Sequence, residues 1–210
     1  MSEVILYDYW RSSASYRVRI ALNLAGISYT SVPVDLLKKE HKSAAHLLRN
    51  PQGLVPALLI DGHLLTQSLA IIDYISETRA VKFIPPRAID RAKTLAIAYA
   101  IAMDIHPVCN LGVVAHVMEI TVGGDEVRSA WMKKFISEGL AAVEVMLRET
   151  QEPYCFGEAI TVADICLMPQ VYNAVRWGID MSPFKRINSI VERLMRNSVF
   201  AAAHPDKVKP

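Results

Sequence analysis

Val4 to Tyr7 is an apolar run too short for a helix and rich in strand formers, so it predicts a first β-strand. Ser12 and Ser13 then offer hydroxyls to cap an amphipathic helix that continues to Ala25, and Gly26 supplies its stop. Tyr29, Val32 and Val34 mark a second strand over 28–34, and the apolar spacing from Lys38 to Leu48 predicts a second helix. After the loop composition Asn50-Pro51-Gln52-Gly53 come the run Val55 to Ile60, the turn Asp61-Gly62 and the run His63 to Leu65. Asp-Gly between two apolar runs predicts a hairpin, because these residues tolerate the positive φ values of a two-residue turn. A helix over Ser68 to Thr78 follows, apolar at Leu69, Ile72 and Ile75. This part of the chain therefore reads βαβ and then ββα.

Past Pro85-Pro86 the periodicity is helical throughout. One predicted helix covers Asp90 to Met118 with an interruption near His106-Pro107, and another covers Asp125 to Glu149. Thr161-Val162-Ala163-Asp164 has the spacing of a capping box, with Asp in place of Glu, ahead of a helix toward Trp177. Ser182-Pro183 is expected to open the last helix, through Met195, with Pro at its first position. The expected fold class is α/β plus all-α: a thioredoxin-like βαβ-ββα domain over 1–82 followed by a helical bundle over 87–210.

Composition narrows the function classes. Hydrophobic residues make up 52% and charged residues 21%, enough apolar surface for a packed core. The 23 Lys and Arg nearly cancel the 21 Asp and Glu, so no strongly basic face for nucleic acid is implied. Thr94 to Met103, the longest uncharged apolar stretch, is about half the roughly 20 residues that span a bilayer, and it is expected to be a core helix with no membrane role. Asp8 and Arg11 interrupt the start before a signal-type apolar run forms, which points to a cytoplasmic protein. The 3 cysteines, Cys109, Cys155 and Cys166, form no CxxC and no zinc spacing, so neither a disulfide framework nor a metal site is expected. His41 and His46 are expected on a solvated helix face.

Three constellations carry chemistry. The first, Tyr9 to Arg17, bridges the first strand and the first helix, where a thioredoxin-type unit would keep a redox CxxC; here it holds no cysteine. Its hydroxyls either cap the helix only or also donate to a bound thiolate, which a helix N-terminus favours by about 0.3–1 kcal/mol. The second is Val55-Pro56, either an edge-strand proline in trans or a cis bond that turns the Val55 backbone outward to pair with an extended peptide. The third is Gln67-Ser68, which either caps the following helix or joins its free N–H groups in holding a carboxylate. Thiolate, peptide and carboxylate contacts on one βαβ-ββα module match the three groups of glutathione.

The segment from Ser12 to Leu22 resembles the SSCxWRVRIAL motif of the zeta-class glutathione transferases, and Gln67 to Ile72 resembles their QSLAIIEYL segment. Asn50-Pro51 through Val55-Pro56, Asp104 to Pro107 with Asn110, and Thr161 through Val171 extend the similarity over nearly the whole chain. The resemblance implies the glutathione transferase fold and glutathione as cofactor. It implies Ser12 beside the glutathione sulfur, with Ser13, Ala14, Ser15, Tyr16 and Arg17 lining the same loop. Val55 and Pro56 would hold the cysteinyl backbone, Gln67 and Ser68 the γ-glutamyl carboxylate, and His41, His106 and Asn110 would contact glutathione or border the pocket. Arg11 and Arg176 would fork the carboxylates of a diacid substrate, whereas Arg19 is expected in a structural ion pair or domain contact. Ala14 stands where many members have Cys, so no mechanism can use a protein thiol in that loop.

The function that the resemblance implies is cis-trans isomerisation of a keto-diacid, maleylacetoacetate or maleylpyruvate, by a homodimer with no nucleic-acid or membrane partner. A general glutathione transferase or peroxidase would use the same site on another electrophile. A non-catalytic binding protein of this fold would have no use for the thiolate contact.

Overall fold

The computed structural model describes residues 3–121, 123–148 and 153–209. The chain forms two compact units, Met1–Phe83 with Arg196–Pro210, and Ile84–Met195. The sequence assigns 87–210 to a single helical domain, whereas the residues after Met195 group with the first unit.

In the first unit, β1 (Ile5–Asp8) lies between β2 (Thr30–Pro33), parallel to it, and β3 (Ala57–Ile60), antiparallel, with β4 (His63–Thr66) at the far edge. Asp61 and Gly62 both have positive φ, 53° and 80°, which is the backbone of the expected two-residue hairpin. Helix α1 (Ser13–Leu24) ends in a Schellman motif: the Ile27 N–H reaches the Leu22 carbonyl at 2.9 Å and the Gly26 N–H reaches that of Asn23 at 3.1 Å. Its Val18, Ile20, Ala21 and Leu22 are buried with Leu6 of β1 and Leu58 of β3. Helix α3 (Ser68–Thr78) packs on α1 and buries Ile71, Ile72 and Ile75.

The helix expected over Lys38–Leu48 is broken. Lys39 has φ 59° and Ser43 is extended, leaving a 3-10 turn at Glu40–Lys42 and a short α2 (Ala44–Leu47). His46 consequently points inward: it is 1% exposed, not part of a solvated face.

The second unit begins with α4 (Ala88–Tyr99), which passes without a break into a π-helical segment at Ala100–Ile105, then α5 (His106–Val108) and α6 (Leu111–Thr121). By length and composition alone the helical run Ala88–Thr121 is long and apolar enough to cross a bilayer, a test that the core helix of a soluble protein also passes. One side of it, Thr94, Ile97, Ala98, Ile101 and Ile105, is buried within the unit, while Tyr99 and Met103 are exposed. The expected interruption at His106-Pro107 is instead a π turn before it and a break after it.

Helix α7 (Asp125–Arg148) packs on the π segment, and the expected end at Glu149 lies outside the described residues. Helix α8 (Val162–Arg176) is buried along most of its length, and its start is fastened as the Thr161-Asp164 spacing predicts. Asp164 Oδ2 accepts the Thr161 N–H at 2.8 Å, and Oδ1 accepts the Cys155 N–H at 2.8 Å. Burial pushes the Asp164 carboxyl above the usual range against the pull of these bonds. Helix α9 (Lys185–Met195) does not start at Pro183. Asp180 turns Ser182 back through bonds of 2.9 and 2.8 Å, and the α9 N-terminus is capped from α7 by buried Glu144, which accepts the Arg186 and Ile187 N–H groups at 2.9 and 3.0 Å. Two further helices, α10 (Ser198–Ala203) and α11 (Pro205–Val208), follow what the sequence marks as the last one.

Candidate active site

In the first unit Ser12 is the N-cap of α1, with extended backbone (φ −68°, ψ 124°) and its Oγ accepting the Ser15 N–H at 3.2 Å. Capping and thiolate binding are compatible here, because a hydroxyl that accepts one bond still has its proton to donate. The first turn of α1 holds no acidic residue, so the positive end of its dipole is not neutralised from within. Ser13 and Ser15 are buried; Ala14 is half-buried and brings a methyl where a thiol would stand. The Tyr16 ring is fully buried, edge-on to His204 at 6.0 Å between centroids.

Protein sulfur is not poised to react. Burial pushes the Cys109 thiol up to about 11 and that of Cys155 well above its ordinary value, and Cys166 is fully buried. A sulfur nucleophile at this loop has to arrive with a ligand.

Arg19, expected in a structural ion pair, forms one. It is buried, bonds Asp8 at 2.6 Å, and donates to the carbonyls of Trp10 at 2.8 Å and Ala203 at 3.1 Å. The backbone just ahead of Ser12 is thereby tied to the sheet and to the end of α10. Arg11 is half-buried, donates to Tyr9 Oη at 3.4 Å and stands 5.1 Å from the Trp10 ring centroid.

The Val55-Pro56 peptide bond is cis, which decides between the two arrangements left open by sequence. The preceding carbonyl, Leu54 O, accepts from His46 Nε2 at 2.9 Å and from Asn50 Nδ2 at 2.9 Å. Gln67 has φ 67°, unusual for a residue with a Cβ and costly by about 1–3 kcal/mol, a kind of strain that clusters at functional sites. Its side chain does not cap α3; Nε2 donates instead to Gln52 Oε1 at 2.6 Å. The first turn of α3 also lacks an acidic residue. Ser68 is 6% exposed, and its Oγ accepts from Nη1 of buried Arg17 at 3.3 Å, so α1 and α3 meet at the two expected ligand-binding ends.

His41 is half-buried on the 3-10 turn; burial, and then the charge of Lys42, hold its pKa below the usual imidazole value, so the ring is predominantly neutral at pH 7. A cavity of about 180 Å³ elsewhere in this unit is lined by Tyr7, Val34, Glu40, His46 and Arg49 and includes none of the expected site residues.

The other expected residues belong to the second unit. Arg176 is exposed at the end of α8, donates to Asn173 Oδ1 at 3.1 Å and stands 5.1 Å from the Trp177 ring centroid. Arg128 of α7 stands 5.6 Å from the same ring and carries no sequence signal that separates it from a solvated helix arginine. Trp177 and Tyr172, neighbours of Arg176, are half-buried. His106 opens α5 and is half-buried; Asn110 Oδ1 accepts the Gly112 N–H at 3.0 Å at the entry to α6.

Residues 2–77 match the glutathione S-transferase N-terminal domain family. Maleylacetoacetate isomerase of Rhizobium meliloti (strain 1021) is 57% identical over 211 residues, spanning 100% of this chain and 99% of that protein. Among solved structures, the holo form of a maleyl pyruvate isomerase, described as a bacterial zeta-class glutathione-S-transferase, superposes with TM-score 0.95 at 35% identity, with 98% of each chain covered. Maleylacetoacetate isomerase from Methylobacterium extorquens AM1, with bound malonate and GSH, gives TM-score 0.94 at 36% identity, again with 98% of each chain covered. The chain belongs to the zeta-class glutathione S-transferases, the family of the maleylacetoacetate isomerases.

Proposed function

We infer that the protein is a glutathione-dependent cis-trans isomerase of a maleyl keto-diacid, taking maleylacetoacetate to fumarylacetoacetate or maleylpyruvate to fumarylpyruvate. The observation that carries this reading is Ser12, a hydroxyl with a proton still to give, at a helix N-terminus free of acidic residues in a loop without protein thiol. The residues present fit glutathione at each of its three groups, and the solved relative with malonate and GSH bound holds a small diacid together with glutathione.

When bound, glutathione would supply a thiolate nucleophile for the cis double bond and would act as a cofactor that is not consumed. Ser12 donates to the sulfur and, with the α1 N-terminus, favours its ionised form. The Val55 backbone pairs with the cysteinyl peptide unit. Gln67, Ser68 and the α3 N-terminus take the γ-glutamyl carboxylate, with Arg17 holding Ser68 Oγ as acceptor so that the Ser68 proton is turned to the ligand. Ser13, Ala14, Ser15 and Tyr16 shape the loop, and His41, His106 and Asn110 border the pocket. Arg11 and Arg176 hold the substrate carboxylates and stabilise the negative charge that develops on the keto group.

The reading includes a cytoplasmic homodimer, as the family implies; exposed apolar Ile89, Tyr99 and Met103 along α4 and the π segment support a surface that a second copy covers. Following the ultraviolet spectra of maleylacetoacetate and maleylpyruvate with enzyme tests it. Conversion of at least one to its trans isomer only when glutathione is present is the expected result. Conversion of neither, or equal conversion without glutathione, would contradict it.

A further inference from the structure

The Val55 N–H and the Leu54 carbonyl belong to one peptide unit, and that unit is held from behind. His46 Nε2 and Asn50 Nδ2 each lie 2.9 Å from Leu54 O. A carbonyl only accepts, so His46 must carry its proton on Nε2. Both side chains are enclosed, His46 at 1% and Asn50 at 2% exposure. Asn50 is fixed in turn, its Oδ1 accepting the Gln52 N–H at 3.1 Å and its own N–H reaching the His46 carbonyl at 2.8 Å. Gln52 then meets Gln67 at 2.6 Å, so the same loop links the Val55 position to the strained residue at the start of α3.

A trans peptide places its N–H opposite its C=O, and the Leu54–Val55 bond is trans. Two buried donors on Leu54 O therefore fix the direction of the Val55 N–H on the far side. Turning this peptide would leave two enclosed donors without their acceptor, which is costly. Donation to the carbonyl also polarises the amide and strengthens its N–H as a donor.

Building on the proposed glutathione site, we propose that His46 and Asn50 are positioning residues: they clamp the Leu54 carbonyl and thereby aim the Val55 N–H at the cysteinyl carbonyl of glutathione. Neither residue touches the ligand. Their effect is on glutathione affinity, transmitted through one peptide plane, and they stand apart from the thiolate contact at Ser12.

Calorimetric titration of the full chain with glutathione, alongside thermal melting, tests the clamp. Asn50→Asp replaces the donor by an acceptor while keeping a partner for the Gln52 N–H, and is expected to weaken glutathione binding by about tenfold, as is His46→Phe. His46→Gln, whose amide nitrogen can stand in for Nε2, is expected to bind within about threefold of the parent. In steady state the loss falls on the KM for glutathione far more than on kcat. Parent-like affinity in Asn50→Asp and His46→Phe, with only the melting temperature lowered, would overturn the clamp and leave the two bonds a purely structural role. If Asn50→Asp does not fold, the His46→Phe and His46→Gln pair makes the same comparison. A parent protein that binds no glutathione would instead remove the glutathione reading itself, so the two failures are distinguishable.

Discussion

Replacing Ser12 with alanine removes two bonds made by one oxygen, the accepted bond from the Ser15 N–H and the proposed donation to the glutathione sulfur. The first loss is that of an N-cap, about 1 kcal/mol of stability. The second is a charge-assisted bond of about 1.5–3 kcal/mol, so the thiol pKa of bound glutathione should rise and kcat should fall by about one to two decades, more than binding weakens. Ser12→Thr keeps both bonds and should stay near the parent. Titrating the ultraviolet absorbance of bound thiolate checks this, and an unchanged titration in Ser12→Ala would remove Ser12 from the chemistry. At this level the sequence marked Ser12, Val55-Pro56 and Gln67-Ser68 from residue type and place alone. It did not reveal His46, because its burial depends on Lys39 taking a positive φ and breaking the helix that the apolar spacing predicts. Asn50 read as a loop residue, and its bond to Leu54 O is formed only once the loop is folded.

Among the elements, the close approach of α7 to the π segment gives a test that separates packing from helix propensity. A Cβ at Gly139 would stand 2.3 Å from Ile105 Cγ1. Gly→Ala inside a helix ordinarily stabilises by roughly 0.5–1 kcal/mol. Here the overpacking should reverse the sign, and Gly139→Ala is expected to destabilise by about 1–3 kcal/mol in urea unfolding. A gain in stability would show that the π segment yields freely at Ile105. The strands, the Asp61-Gly62 turn, α1, α3 and the start of α8 were legible because their signals are local: alternation, capping residues and turn residues. The start of α9 was not, because its cap is Glu144, which comes from α7 and far earlier in the chain. The π segment was also hidden, since one added residue per turn leaves the apolar periodicity of 100–105 nearly helical.

For the whole molecule, the change from βαβ-ββα to helical texture at Pro85-Pro86 was visible in composition, while the return of the chain after Met195 to the first unit was not. The segment packs on α1 and accepts bonds there from Arg19 at the Ala203 carbonyl and from Asn23 at the Val199 carbonyl, long-range bonds with no local signature. The family places the whole chain among glutathione-using enzymes, and what remains specific to this protein is whether glutathione is returned after each turnover. The most direct measurement gives the enzyme maleylacetoacetate, or maleylpyruvate if that is the substrate it accepts, in large excess over glutathione, and follows product and free thiol together. Conversion to the trans isomer well beyond the amount of glutathione supplied is expected, with the thiol recovered in full at the end. Conversion that stops when the glutathione is used up, with an adduct accumulating in its place, would contradict it.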